Sequence, residues 1–365
     1  MRPLRICLVG PLPPPFGGMA NQCRQLADLL RGDGHEVEVI QVNAPYKPAW
    51  IEEIKGMRAF FRLGPYLFRL WSAAGKADIF HIMANSGWSW HLFAAPAIWI
   101  AKWRGAAVVL NYRGGEAEEF FLRAFSWVRP SLNKSDAIMV PSGFLLQVFG
   151  KRGFDAWIVP NIVNLERFAP SISTNRSLPH ILVARNLERL YDNSSALRAF
   201  ALIRQRHPSA QMTLAGSGPE RDALEQQAHD LGLADAVIFA GRVENSEMPN
   251  LYKTVSIALN PSLADNMPIS ILEALASGVP MVSTNVGGVP FLVEDEKTAL
   301  LVPPGDHVAM ANACLRLLED ASLADNLVMA GQKLACEFAW DRVRPKLYAV
   351  YNNVLDRRIS ATVER

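Results

Sequence analysis

The sequence predicts an α/β protein with two doubly wound parallel sheets, and three observations support this. The 365 residues exceed the usual size of one domain. Short strand-like apolar runs alternate with amphipathic helical stretches, a pattern typical of parallel α/β sheets. A polar segment at 161–179, rich in Ser, Asn and Pro, divides the strands into two series. We therefore expect two domains of similar size, at 1–165 and 170–340.

The first series opens with the strand RICLVG at 5–10, followed by a Pro/Gly loop and a helix, NQCRQLADLLRGDG, that ends at glycine. A helical stretch at 342–360 is expected to pack back on this first domain. Further strands of the series are predicted at EVEVIQV, DIFHIM, AAVVLNY, AIMVPS and AWIVPN.

The second series begins with HILVAR at 180–185. Sheets of this kind bind ligands at the carboxyl ends of their strands, so we expect a cleft where those ends of the two domains face each other. The remaining strands of the second series are predicted at QMTLAG, AVIFAG, SIALNP, PMVSTN and ALLVPP.

Composition excludes several classes of protein. The net charge of +2 gives no field that would select nucleic acid as a partner. The four cysteines are far apart and include no C-x-x-C pair, which favours reduced thiols in the cytosol over a disulfide framework or a zinc site. The apolar run in the first ten residues is too short for a signal peptide, and the longest apolar stretch, 91–101, is below the roughly 20 residues of a membrane span. We expect a soluble, cytoplasmic protein.

The stretch NPSLADNMPISILEALASGVP at 260–280 predicts a buried strand, a loop and a helix. Such a loop presents backbone N–H groups at a helix N-terminus, which is a phosphate site. Glu273 could accept both hydroxyls of a ribose there, and Asp265 could hold sugar hydroxyls. Alternatively, Asp265 is a helix N-cap and Glu273 only complements the helix dipole.

This stretch resembles the acid–seven residues–acid motif of the retaining glycosyltransferases of family 4, in an Asp-Asn-x-Pro form. Those enzymes have the GT-B fold, in which two Rossmann-like domains face a central cleft. Four further segments resemble the family in the same order along the chain: GPLPPPFGGMANQCRQLADLLRGDGHEVEVI, VPNIVNLERFAP, LAGSGPERDALEQQAHDLGLADAVIFAGRV and SGVPMVSTNVGGVPFLVEDEKTALLVPPGD.

The resemblance implies transfer of a sugar from a nucleotide sugar, with UDP favoured over GDP, with retention at the anomeric carbon and without a metal or cofactor. The first domain would bind the acceptor and the second the donor. Glu273 would bind the donor ribose. The donor sugar would be held by Asp265 and by the backbone of Asn266, Met267 and Pro268.

Other family positions carry over less directly. Gly17 and Gly18 would approach the diphosphate or the acceptor, or form a simple turn. Arg242 and Val243 match the segment that lines the base. Gly216, with Gly218 after it, would contact the donor or only make a tight turn.

The chain departs from the family pattern at its cations. Arg185 matches the arginine on the diphosphate, but Tyr191 and Asp192 stand where a lysine is usual, so Arg189 is the replacement cation or a solvated loop charge. Arg113 stands where a histidine is expected beside the reacting sugar. It could stabilise charge, but not act as a base, or it could be structural. His81 is a further candidate, with a core role as the alternative. The sequence has no D-x-D motif, and no metal is predicted.

Residues 46–76 interleave aromatic and basic side chains in a helical stretch. This suits an anionic membrane surface and an acceptor carried on a lipid, as in synthesis of surface polysaccharide at the inner face of the membrane. An ordinary amphipathic helix with a solvated basic face is the alternative. The residues concerned are Trp50, Phe60, Phe61, Tyr66, Phe68 and Trp71 with Lys55, Arg58, Arg62 and Arg69.

Two other functions stay open. A non-catalytic module that binds a nucleotide sugar or a partner would explain the missing lysine and histidine. A nicotinamide dehydrogenase ranks low, because GPLPPPFGGMAN lacks G-x-G-x-x-G and no acidic residue ends the strand EVEVIQV.

Overall fold

A computed structural model of the chain describes residues 3–14, 17–45, 57–170 and 178–363, with the backbone alone at 57–60, 359 and 361–363. The chain forms two compact units. The first consists of Met1–Pro160 together with Arg344–Arg365, and the second of Asn161–Val343.

The first unit is a six-stranded parallel sheet with strand order β2-β1-β3-β4-β5-β6. Strands β3 and β4 are buried along their whole length, as expected for central parallel strands covered on both faces. The strands are β1 (Arg5–Gly10), β2 (Glu36–Gln41), β3 (Ile79–Ala84), β4 (Ala107–Tyr112), β5 (Ala137–Val140) and β6 (Trp157–Ile158). The helices are α1 (Gly18–Gly32), α2 (Met57–Ala74), α3 (Ala95–Trp103), α4 (Ala117–Leu132) and α5 (Gly143–Gly150), with a π-helical turn at Trp90–Ala94.

The second unit repeats the architecture, with strand order β12-β11-β10-β7-β8-β9. Its strands are β7 (His180–Val183), β8 (Gln211–Ala215), β9 (Val237–Gly241), β10 (Ile257–Asn260), β11 (Met281–Thr284) and β12 (Leu300–Val302). Its helices are α6 (Asn193–Arg206), α7 (Arg221–Asp230), α8 (Met248–Tyr252), α9 (Ile269–Ala276), α10 (His307–Glu319) and α11 (Ala321–Cys336). The prediction of two parallel α/β sheets is confirmed.

The last helix, α12 (Trp340–Val363), binds to the first unit through polar contacts. The hydroxyl of Tyr351 lies 2.7 Å from Nδ1 of His81 on β3, and Tyr348 donates to Asp33 at 2.6 Å. Arg358 donates to the carbonyl of Gly105. Residues 344–363 therefore complete a unit whose other residues come from the start of the chain.

The division between the units lies at Pro160, earlier than the expected boundary of 165. The reason is that the next residues pack on the second unit. Val163 is buried in a core cluster of that unit, and its N–H donates to Phe338 O at 3.0 Å.

Within the described residues, none of the helices combines the length and the apolar character needed to cross a membrane. In the same part of the chain, no group of three or more His, Cys, Asp or Glu side chains is arranged to hold a metal ion.

Candidate functional site

The loop between β10 and α9 is held from two sides. The Asn161 amide donates to the carbonyl of Met267 at 2.7 Å, and the Asn161 N–H contacts the Met267 sulfur at 3.3 Å. From the other side, the N–H of Gly288 donates to the carbonyl of Asp265 at 3.0 Å. These contacts fix the backbone of 265–267 in front of α9.

Two consecutive glycines make this approach possible. Gly287 has a φ of +51°, in the left-handed region, and a Cβ there would overlap the carbonyl oxygen of Asp265. A Cβ on Gly288 would overlap the carbonyl oxygen of Asn266. Any side chain at either position would push the loop away, so the glycines are required by the shape of the site.

Asp265 and Arg185 form an ion pair of 2.5 Å, and their side chains are only 14% and 11% exposed. Burial raises the pKa of Asp265, and the charge of Arg185 opposes that shift. The other carboxylate oxygen accepts the N–H of Asn266 at 2.8 Å. Pro268 is the N-cap of α9, so the alternative that Asp265 caps this helix is wrong.

Arg185 is oriented by two further groups. Its Nε donates to Asn260 Oδ1 at 2.8 Å, and its guanidinium lies 5.3 Å from the ring centroid of Tyr191. Asn260 is fixed in turn by Ser262 and Ser283, at 2.7 and 2.9 Å. Asn260 was not predicted from the sequence, although a polar residue at the end of the buried strand IALN indicates such a role.

Glu273 is the fifth residue of α9 and is 9% exposed. It lies beyond the first turn, where the helix dipole has most of its effect, so the dipole alone does not explain it. Burial raises the pKa of Glu273 to about 7, opposed by the charge of Arg167, a hydrogen bond from Tyr252 and the charge of Arg185. The Tyr252 hydroxyl lies 3.5 Å from Oε2 and also donates to Ser270 O at 3.1 Å. Arg167 and Tyr252 were missed in the sequence because both are distant from α9 along the chain.

Two of the backbone groups expected to hold a donor sugar have partners within the chain. The N–H of Asn266 donates to Asp265, and the carbonyl of Met267 accepts from Asn161. Pro268 has no N–H to donate. In the first turn of α9 the N–H of Ile271 donates to the carbonyl of Pro268 at 3.2 Å. Within the described part of the chain, the N–H groups of Met267, Ile269 and Ser270 are therefore the backbone donors left for a bound anion.

The remaining second-unit candidates lie around the ends of β7, β8 and β9. A Cβ on Gly216 would overlap the carbonyl of Arg185, so this glycine supports the strand end that carries the guanidinium. Arg189 is exposed on a 3₁₀ turn, whose Leu190 carbonyl accepts from Leu263 at 2.8 Å. A Cβ on Gly218 would likewise overlap Leu187, while Arg242 is exposed after β9 and Val243 packs against the core cluster that includes α9.

In the first unit, Gly17 is the N-cap of α1 and has extended backbone. A Cβ at Gly17 would meet no atom within 4 Å, so packing within the protein does not require glycine there. Gly18 is the exposed first residue of α1.

Arg113 follows β4 and ends a buried chain of hydrogen bonds. Its Nε donates to Asn111 Oδ1 at 3.2 Å, and the Asn111 amide donates to His81 Nε2 at 2.9 Å. Because Nε2 accepts, Nδ1 carries the imidazole proton and donates to Tyr351. Burial, followed by the charge of Arg113, lowers the pKa of His81 to about 3, so the ring is neutral. Burial lowers the pKa of Arg113 to about 10, so it remains a cation at neutral pH.

His81 is fully buried, with both ring nitrogens hydrogen-bonded. It therefore has the core role that was the alternative in the sequence.

Two family models match the chain. The model described as Glycosyltransferase Family 4 matches residues 16–167, and the model described as Glycosyl transferases group 1 matches residues 179–320. Glycogen synthase from Mycobacterium tuberculosis is 25% identical to this chain, over 95% of it and 94% of the relative.

Two solved structures superimpose along almost the whole length. Sucrose-phosphate synthase from Thermosynechococcus elongatus has a TM-score of 0.76 and 20% identity, covering 98% of this chain and all of its own. The Anabaena protein HepE, solved in complex with UDP, has a TM-score of 0.74 and 18% identity, covering 96% of this chain and 100% of its own. At these identities the likeness is one of fold.

Proposed function

Because the chain is a glycosyltransferase with the GT-B fold, carrying a family 4 segment and a group 1 segment, we propose that it transfers a sugar from a UDP-sugar to an acceptor hydroxyl with retention at the anomeric carbon. The observation that carries the proposal is the buried Asp265–Arg185 pair, with a second buried carboxylate, Glu273, on the helix that follows. The motif of two acids eight positions apart supports a retaining reaction by its resemblance to that family.

The donor contacts follow from the chemistry of each group. Glu273, once ionised, accepts hydrogen bonds from both ribose hydroxyls. The diphosphate lies on Arg185 and on the N–H groups that begin α9, because a helix N-terminus favours phosphate. Asp265 and the Met267 N–H hold the donor sugar. Arg242 and Val243 line the base, while Gly17 and Gly18 give a bound group close access to the backbone of α1.

The bond from the anomeric carbon to the diphosphate oxygen breaks through an oxocarbenium-like transition state. Negative charge grows on the departing diphosphate, and the guanidinium groups of Arg185 and Arg189 stabilise it. The acceptor hydroxyl attacks on the face that the diphosphate leaves, and its proton passes to the diphosphate oxygen. We assign no metal to this step, since the sequence has no D-x-D motif.

UDP is proposed over GDP on the resemblance to family 4, and the UDP complex of the similarly folded HepE is compatible with this choice. For the acceptor we propose a lipid-linked saccharide at the cytoplasmic face of a membrane, on the basic and aromatic composition of 46–76. In that segment Trp50 and Lys55 lie outside the described residues, as do the side chains of Arg58 and Phe60.

The test is calorimetric binding of UDP, GDP and NAD to the protein and to Glu273→Ala, followed by transfer assays with a panel of UDP-sugars. Glu225→Ala is the matched control, because that glutamate is exposed and pairs with Arg221 on α7. We expect UDP to bind, the Glu273 variant to lose that binding, and the control to keep it. UDP binding that is indifferent to Glu273 would refute the ribose contact.

The second candidate is a non-catalytic module, which Tyr191 and Asp192 favour because they replace the expected lysine. UDP binding that depends on Glu273, combined with no transfer or hydrolysis of any UDP-sugar or GDP-sugar, would favour this module over the enzyme.

A further inference from the structure

Exposed aromatic side chains are concentrated in the first unit. Among the described residues, seven of the eight exposed Phe and Trp side chains lie in it, and the second unit has Phe291 alone. The two units are built on similar six-stranded sheets, so the fold does not require this asymmetry. Contiguous exposed apolar side chains of this kind mark an interaction surface.

Five of the seven belong to the layer of helices α2, α3 and α4. Phe61, Phe68 and Trp71 lie on α2, Trp103 ends α3, and Trp127 lies on α4; we call these five residues the aromatic surface. Phe68, Trp103 and Trp127 are 75%, 69% and 78% exposed, which is exceptional for side chains of this size.

Cation–π and ring contacts link Trp71 and Trp103, two members of this surface, to neighbouring side chains. The Arg104 guanidinium lies 4.9 Å from the centroid of the Trp71 ring, which joins α2 to the end of α3. Trp103 contacts Trp99 with ring centroids 6.0 Å apart, and the ammonium of Lys134 lies 5.5 Å from the Trp99 ring. These contacts run from Trp71 on α2, past the end of α3, to Lys134 just after α4.

The charge of this region decides the kind of partner. Residues 57–134, which include all three helices, contain ten Lys and Arg residues and four acidic residues. Arg69, Lys76 and Arg104 are exposed. Indole rings interspersed with cations match the headgroup region of an anionic bilayer, where tryptophan and basic side chains are both favoured. A second copy of the chain would bring two cationic faces together, which opposes such a dimer.

We propose that the aromatic surface of α2, α3 and α4 docks the protein on an anionic lipid bilayer, with its indole and phenyl rings among the headgroups and its cations on lipid phosphates. The surface takes in residues of α2 that belong to the basic and aromatic segment 46–76, and adds residues from two further helices. The proposal stands on the first unit alone and does not depend on the transfer reaction.

The test is co-sedimentation of the whole chain with vesicles of phosphatidylcholine and with vesicles of equimolar phosphatidylcholine and phosphatidylglycerol. One variant carries Trp71→Ala, Trp103→Ala and Trp127→Ala. A second carries Arg69→Gln, Lys76→Gln and Arg104→Gln and keeps all the aromatic rings. It tests the surface independently if the tryptophan variant does not fold. The matched control carries Phe291→Ala and Met329→Ala, two exposed apolar residues of the second unit.

We expect the wild type to bind the anionic vesicles and to be released by salt. The cation variant is expected to bind about fivefold more weakly per charge removed, and the tryptophan variant at least about tenfold more weakly. The control is expected to bind as the wild type does. Failure of the wild type to bind anionic vesicles, or binding by both surface variants that equals that of the wild type, would overturn the proposal. A dimer in sedimentation velocity that is lost in the tryptophan variant, without vesicle binding, would assign the surface to a second copy instead.

Discussion

The Asp265 carboxylate holds the Arg185 guanidinium at 2.5 Å and so ties the loop before α9 to the end of β7. Both side chains are nearly buried, and their opposite charges are in direct contact. Removing one partner of such a pair leaves the other uncompensated. A donor diphosphate that binds Arg185 therefore either replaces the Asp265 carboxylate as the partner of the guanidinium or shares the guanidinium with it.

Asp265→Asn is expected to lower the rate of transfer by about 100-fold or more, because the neutral amide no longer orients Arg185 toward the departing diphosphate. The free energy of unfolding should fall by about 1–3 kcal/mol as the arginine loses its charged partner. Steady-state kinetics and urea unfolding measure the two effects. Asp235→Asn, which breaks the more exposed pair with Arg204, serves as the control and should change neither. Full activity in Asp265→Asn would contradict the assignment.

The protonation of Glu273 should make UDP affinity depend on pH. Its pKa of about 7 in the folded protein means that the carboxylate is half neutral near pH 7. Only the ionised form accepts both ribose hydroxyls, so affinity should rise as the pH increases from about 6 to 8. Calorimetry across that range measures the effect. Glu273→Gln should bind weakly and without this pH dependence, and an unchanged pH profile in the variant would disprove the link.

The same shift predicts the pH dependence of stability. The pKa of Glu273 is raised from 4.5 to about 7 on folding, so between these values the folded state holds a proton that the unfolded state has released. Stability from this group is therefore fully present below about pH 4.5 and is lost as the pH rises to about 7. Chemical unfolding of the wild type and of Glu273→Gln at several pH values should show this fall in the wild type alone.

Gly288→Ala should damage the site while leaving both sheets intact. The added Cβ would overlap the carbonyl oxygen of Asn266, and the loop that carries Asp265 must move. We expect a loss of about 1–3 kcal/mol in the free energy of unfolding and at least tenfold weaker UDP binding. Gly150→Ala is the matched control, since a Cβ there meets no atom within 4 Å. Similar behaviour of the two variants would argue against a role for the close approach.

Tyr351→Phe tests the hydrogen-bond chain that ends at Arg113. The variant removes the acceptor of His81 Nδ1, and we expect it to lose about 1 kcal/mol of stability and to lower kcat more than the donor KM. Tyr348→Phe is the matched control, because Tyr348 lies on the same helix but its hydroxyl donates to Asp33. It should lose comparable stability without the change in kcat. Equal kcat in the two variants would mean that the chain does not position Arg113.

The strands, the two sheets and the loop before α9 could be predicted because their signals are local. Alternating apolar runs marked the strands, and turn formers followed by helical spacing marked the loop and α9. The GT-B assignment came from segments that resemble family 4 in the same order along the chain. It is confirmed by the superposition on two solved structures.

What the sequence did not predict depends on long-range contacts. Asn161 and Met267 are 106 positions apart, and Arg185 and Asn260 are 75 apart, so no local pattern connects them. Helix α1 begins at Gly18, before the predicted start at Asn21, because Gly17 supplies the extended residue that precedes the first turn. The strand expected at AWIVPN forms only two residues of pairing, Trp157 and Ile158, at the edge of the sheet.

The position of α12 has a consequence for the order in which the protein is made. Residues 344–363 leave the ribosome after the whole second unit has been synthesised, yet Tyr351 supplies the partner of a buried histidine on β3. During translation the second unit can fold as an uninterrupted segment. The first unit remains incomplete until residues 344–363 have been synthesised and can pack on it. A ribosome-bound chain that stops before residue 344 should therefore protect the second unit from protease and leave the first open to cleavage.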